Sequence, residues 1–173
     1  MTQYSNRMMI VHWLVLVMMI AAWFLGDAVH DARHEGGATI AAYVVHALVG
    51  ASVLLLTLVR LFFRSKDGVP PPLGDTPADK LAQLVKYLLY AVSILLPVSG
   101  FMQALTSDVC KAITAGNAAM LPKKFEGVMA HDVHEVLVNV LIVLVVVHVL
   151  GALKHQFVLK DNIMGRMLPG KKG

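Results

Sequence analysis

The sequence predicts an all-α integral membrane protein, a four-helix bundle with both termini on the cytoplasmic side. Three observations predict it. Of the 173 residues, 57% are hydrophobic and the mean hydropathy is +0.68, against about 45–50% apolar in soluble domains. The apolar residues fall into four runs, at 8–25, 40–63, 81–102 and 133–157, each close to the roughly 17–25 residues that a spanning helix needs. The 15 Lys and Arg are also unevenly placed. Eleven lie at one end of the spans: Arg7, then Arg60, Arg64, Lys66, Lys80 and Lys86, then Lys154, Lys160, Arg166, Lys171 and Lys172. Four lie at the other: Arg33, Lys111, Lys123 and Lys124. The crowded end is cytoplasmic by the positive-inside rule, so the number of spans is even. The chain 1–173 reads as a single domain, with no internal repeat or low-complexity tract.

The net charge of +4 does not point to nucleic acid, because membrane topology accounts for the basic residues. The single cysteine, Cys110, leaves no partner for an intramolecular disulfide.

The first run follows Arg7 and could be taken for a signal peptide. It is long for one, it carries His12, and no A-x-A site follows, so it reads as a retained span. Trp13 and Trp23 bracket it as interfacial residues. Residues 26–39 read as an external loop with His30, His34, Asp27, Asp31 and Glu35. Two histidines make half a zinc site, so these two read as solvated. The second run carries His46. Residues 65–79 include Pro70–Pro72 and read as an extended connection. The third run contains Pro97, which should bend it. Lys86, near its start, snorkels towards the interface. Residues 103–132 form the longest connection, external and long enough for a short surface helix. It holds Lys111, Lys123 and Lys124, three charges able to focus a small anion.

The fourth run carries His134 and His148. Fourteen residues separate them, about 21 Å of helix rise, and both fall on one face within about 40°. Intramembrane histidines are functional-site candidates by default. His12 lies about 6 Å from the cytoplasmic start of its span, and His148 about 7–8 Å from the same surface. His46 lies about 9 Å below the outer surface, and His134 is near the outer start of its own span. Depth therefore pairs His12 with His148 inside and His46 with His134 outside. His131 competes with His134 but lies about 100° off the face of His148. His155 shares that face at the membrane surface, as an interfacial residue or a donor to a cofactor carboxylate. Arg60, Arg64 and Lys154 are inside-positive charges able to take the same second role.

Imidazole serves haem iron, zinc and copper alike. No carboxylate or cysteine lies deep enough to complete a zinc or di-iron centre, and two imidazoles from facing helices suit a haem with closed coordination, which favours electron transfer. Without C-x-x-C-H, the haem is held non-covalently. Gly50 and Gly151, each one turn beyond a histidine, would let a porphyrin edge approach the backbone.

The residues resemble the bacterial cytochrome b561 family, small di-haem b cytochromes of the inner membrane. The matching features are Tyr4-Ser5 with His12-Trp13, His46 with Gly50, and L-P-V-S-G at 96–100. They continue with H-E-x-L-x-N at 134–139, His148, and the closing K-D-N-x-x-x-R-M-x-P from Lys160 to Pro169. The resemblance implies two haems b as cofactors, with iron ligands at His12, His46, His134 and His148. It also implies electron transfer to the quinone pool. The members it looks most like oxidise superoxide at the periplasmic side and reduce ubiquinone, and Lys111, Lys123 and Lys124 would then steer the anion. The alternative is a cytochrome b subunit or carrier serving a periplasmic dehydrogenase or hydrogenase. The expected partners are the lipid bilayer, quinone, and superoxide or another periplasmic donor, for a monomer or homodimer.

Overall fold

Ser5, Thr39 and Thr76 each stand just ahead of a helix and cap it. Ser5 Oγ accepts from the Met8 amide (3.4 Å) and Thr39 Oγ1 from that of Ala42 (3.2 Å). Thr76 and Asp79 form a reciprocal capping box, with Pro77 in the first turn. Side-chain oxygens at these positions satisfy amides that a helix start leaves open. In this computed structural model, which describes residues 3–72 and 74–168, they open α1 (Asn6–Glu35), α2 (Ile40–Asp67) and α3 (Pro77–Thr106). A short helix, α4 (Val109–Ala115), and a 3₁₀ turn at Ala118–Met120 lie in the long connection before α5 (Met129–Leu153). Pro169, Lys171 and Lys172 lie outside the described residues.

The four long helices are each apolar enough to cross a membrane, and no strand occurs among the described residues. This is the predicted four-span architecture. One boundary differs. Residues 26–39 are not a loop, because α1 runs on to Glu35. Hydropathy falls after Leu25, but neither Gly nor Pro interrupts residues 27–35. The helix stops at Gly36, whose φ of +81° is the left-handed conformation that glycine adopts freely. His30, Arg33 and His34 therefore ride on a helix, and the connection to α2 shrinks to Gly36–Thr39.

Packing follows two pairs, α1 on α2 and α3 on α5, joined through α2 and α3. Val85 and Val92 of α3 meet Leu144 of α5, flanked by Leu89, Leu137 and Leu141. Those positions recur every three or four residues, as a packed helix face requires. The outward faces are apolar and exposed: Leu48, Leu55 and Phe62 on α2, and Val136, Val143 and Leu150 on α5. Each set repeats every seven residues, the pattern of a stripe facing lipid.

At the Lys- and Arg-rich end the chain closes on itself. After α5 a π-helical turn, Lys154–Leu159, leads to Lys160 and Asn162, both with positive φ. The returning segment is fastened by side chains from the opposite end of the sequence. Gln3 Nε2 donates to the Gly165 carbonyl (2.8 Å) and Trp13 Nε1 to that of Met167 (2.9 Å). The Tyr4 amide donates to the Arg166 carbonyl (3.2 Å), and Arg166 donates to the carbonyl of Pro71 (2.8 Å). His155 Nδ1 meets Asp161 Oδ2 at 2.5 Å. Ser5 and Arg7 both bind Asp67, joining the start of α1 to the end of α2. Both ends of the described chain thus lie on one side of the bundle.

Candidate functional site

The structure brings the four singled-out histidines together in two pairs. His12 on α1 faces His148 on α5, with ring centroids 6.5 Å apart and planes at 75°. His46 on α2 faces His134 on α5, at 6.4 Å and 79°. A metal ion takes an imidazole nitrogen at about 2 Å, and the ring centre lies about 1 Å behind that nitrogen. Two imidazoles on opposite sides of one ion therefore have centres about 6 Å apart. Both pairs have that separation. Among the described residues no three His, Cys, Asp or Glu cluster as a metal site; each pair offers two imidazole donors, a set that would suit a haem.

His134 is the most firmly oriented of the four. Its Nδ1 lies 3.1 Å from the Leu96 carbonyl and 3.0 Å from Ser99 Oγ. An N–H on Nδ1 that donates to the carbonyl leaves the Nε2 lone pair for metal. Gly100 completes the seat, since a Cβ there would stand 3.0 Å from His134 Cε1. α1 repeats the arrangement for His46. A Cβ on Gly26 would stand 3.0 Å from His46 Cε1, and the Ala22 carbonyl, one turn earlier, faces that ring. The contact falls short of hydrogen-bond geometry, so His46 Nδ1 has no partner among the described residues. In each case a glycine one turn after a carbonyl lets an imidazole lie against the backbone.

A common spacing of fourteen residues organises all four spans. It separates His12 from Gly26, His46 from Arg60, Lys86 from Gly100 and His134 from His148. One layer holds His46 and His134 with two glycines. The other holds His12 and His148 with two cations. Arg60 acts electrostatically on both histidines of its layer, and Lys86 on His148. The Arg60 guanidinium lies over the Tyr90 ring at 5.2 Å, and its buried Nε has no partner among the described residues. A carboxylate-bearing cofactor in this layer would supply one. Arg64 lies farther out, 5.8 Å from the Tyr87 ring.

Other expected residues fall elsewhere. His131 lies on Phe125 (4.6 Å between centroids) and contacts Glu135 at 3.2 Å, away from both imidazole pairs. His155 is held by Asp161, and Lys154 opens the π-helical turn. At Gly50 and Gly151 a Cβ would meet nothing within 4 Å, so packing within the chain does not demand glycine there. Trp13 sits edge-on to His12 and anchors the returning segment, a more specific task than interfacial anchoring. The outer lysines line or adjoin an open groove of about 260 Å³ that carries both signs of charge. Lys111 is paired with Asp108 at 2.8 Å and Lys124 with Glu126 at 3.3 Å. The hydrogen bond to Asp108 holds the Lys111 ammonium above its ordinary pKa. Lys123 has no ion pair among the described residues.

Sequence reasoning passed over Gly26 and Arg33. Arg33 was one of four external charges. It is 7% exposed, and its guanidinium stacks on Phe125 at 4.8 Å.

Four apolar spans holding imidazole pairs at metal-bridging separation make up a membrane cytochrome of the b type. Comparison with known proteins agrees. The family model described as prokaryotic cytochrome b561 matches residues 3–170. A cytochrome b562 from Cereibacter sphaeroides is 31% identical over 169 residues, covering 95% of this chain and 94% of that protein. A protein named probable superoxide oxidase CybB from Yersinia pestis is 27% identical, covering 99% and 98%. Cytochrome b561 homolog 1 of Escherichia coli K12 is 24% identical, covering 99% and 100%. The chain belongs to the prokaryotic cytochrome b561 family. It is a multi-pass bacterial inner-membrane protein of electron transport, in a family that binds haem b.

Proposed function

We propose that the chain acts as one domain that moves electrons between superoxide, outside, and ubiquinone through two haems b. The observation that carries this reading is the pair of imidazole pairs, with centroids 6.5 and 6.4 Å apart. They are set one above the other by the fourteen residues between His134 and His148. His12 and His148 would hold the haem nearer the cytoplasm, and His46 and His134 the haem nearer the periplasm. When bound, the haems would supply one-electron chemistry. The chain's own residues orient the ligands, keep water from them with apolar helix faces, and set the local charge.

The electrons balance simply. Two superoxide anions give up one electron each and leave as dioxygen. Ubiquinone takes the two electrons with two protons and becomes ubiquinol. No general base is needed on the donor side. The similarity to the Yersinia pestis protein supports superoxide as donor, and the cations around the inner pair favour electrons settling on that side. Lys123, and more weakly Lys111 and Lys124, would steer the anion.

Stopped-flow mixing of the oxidised, haem-loaded protein with superoxide tests the reading. Fast haem reduction, followed by reoxidation when ubiquinone is added, is expected. Haem bands that ignore superoxide and answer only to quinol or dithionite would sink the superoxide assignment. The protein would then be a carrier for a periplasmic partner.

A further inference from the structure

Arg33 is a buried cation without a counter-ion. It lies on the last turn of α1 with 7% of its surface exposed, and none of the ion pairs among the described residues includes it. Its Nη2 is 3.2 Å from His30 Nδ1 and 3.5 Å from His34 Nε2. These two rings lie on the same helix face and fix the plane of the guanidinium. Phe125, from the long outer connection, packs against that guanidinium at 4.8 Å and against the ring of His131 at 4.6 Å. The Glu135 carboxylate is engaged by His131. The donors on Nε and Nη1 have no protein acceptor among the described residues, although a guanidinium carries five. The Arg33 charge is felt at Tyr43, one turn before His46, and Tyr43 has a buried hydroxyl with no partner. A cation taken out of water is costly unless an anion accompanies it. The short Gly36–Thr39 connection sets the last turn of α1, with Arg33, and the first turn of α2, with Tyr43, at the same end of the helix pair, and unused donors on both point to the missing group.

We propose that Arg33 and Tyr43 form a binding site for an oxyanion at the outer edge of the His46–His134 pair. Arg33 lies seven residues beyond Gly26, about 10 Å of rise, on nearly the same face. The site is therefore between the outer surface and the imidazole layer. Planar donor geometry suits a carboxylate or another small oxyanion. Two sources have that chemistry: a carboxylate of the haem held by His46 and His134, or a small oxyanion arriving from the periplasm, such as the superoxide of the proposed function. The site rests on that reading only for the name of the second source.

The test is an equilibrium redox titration of the haem-loaded protein, read by visible absorption, in chloride and in formate at equal ionic strength. Wild type is compared with Arg33→Gln, Arg33→Lys and Tyr43→Phe. In one supporting outcome formate lowers one haem midpoint in the wild type. That shift is lost in Arg33→Gln and reduced in Tyr43→Phe, and the site is open to a diffusible oxyanion. In the other, formate does nothing, while Arg33→Gln lowers that midpoint or loses that haem and Arg33→Lys restores part of it. The oxyanion is then the haem's own carboxylate. Wild-type midpoints, haem content and formate response in both Arg33→Gln and Tyr43→Phe would overturn the proposal and leave Arg33 a packing residue on Phe125. If Arg33→Gln does not fold, Arg33→Lys and Tyr43→Phe decide, and no change in either overturns it. A protein that takes no electron from superoxide yet shows the formate response refutes the proposed function and leaves the site standing.

Discussion

Gly100 and His134 meet across α3 and α5 so closely that a side chain on Gly100 would require the ring to give way, since a Cβ there would stand 3.0 Å from Cε1 and 3.2 Å from Nδ1 of the imidazole. Gly100→Val should displace the ring and empty one of the two proposed haem sites. The haem-to-protein ratio should fall by half while the protein stays in the membrane. A full complement in this variant would mean that His134 does not need its seat.

Single-histidine variants should divide by layer. His12→Ala and His148→Ala should lose the same haem, and His46→Ala and His134→Ala the other. His131→Ala should keep both, because its ring contacts Phe125 and Glu135. Spectra of the reduced variants report the loss, and a haem missing from His131→Ala would reassign the outer ligand.

Arg60→Gln should lower one midpoint and spare the other. A unit charge about 10 Å away at an effective dielectric near 20 contributes on the order of 1–2 kcal/mol, or tens of millivolts for one electron. The affected haem should be the one lost in His12→Ala. Equal shifts of both midpoints would remove the argument that the charged layer is where electrons settle.

The outer lysines should be unequal. Lys111 keeps its proton throughout neutral pH because Asp108 favours the charged form, yet that carboxylate also cancels its field. Lys111→Gln should slow superoxide-driven reduction less than Lys123→Gln does, and added salt should shrink both effects. The reverse order in stopped-flow traces would place the entry route on the Lys111 side.

Trp13→Phe removes the donor to the Met167 carbonyl, a bond worth about 1 kcal/mol. Proteolysis of inverted vesicles should then cut the segment after Leu159 faster than in wild type, with haem content unchanged. Equal cleavage would show that the Gln3 and Tyr4 contacts hold the segment unaided.

How much of this was legible follows from the kind of signal each residue leaves. The four spans are readable because hydropathy and charge asymmetry accumulate over twenty residues. The preference for His134 over His131 needs only helix arithmetic, since the alternative points about 100° away. Gly26 and Gly100 act through the absence of a side chain, and a glycine in an apolar span looks the same whether or not a ring lies on it. Arg33 was hidden by the boundary itself. Hydropathy ends the first span at Leu25, whereas the backbone continues as helix until Gly36, and a charge assigned to a loop is assumed to be solvated. Reading past Gly26 to the next glycine, Gly36, would have placed it on the helix. The contacts of Gln3, Tyr4 and Trp13 with residues 165–167 span more than 150 positions and obey no local pattern.

The fourth span contributes one imidazole to each pair, and this bears on biogenesis. Neither pair exists until residues 134 and 148 have been translated and the helix bearing them has joined α1 and α2. On this view a nascent chain with three spans in the bilayer has no complete cradle for iron porphyrin, whatever the local supply. Cofactor capture follows insertion, and truncation ahead of α5 should yield a colourless protein, not one with half its haem.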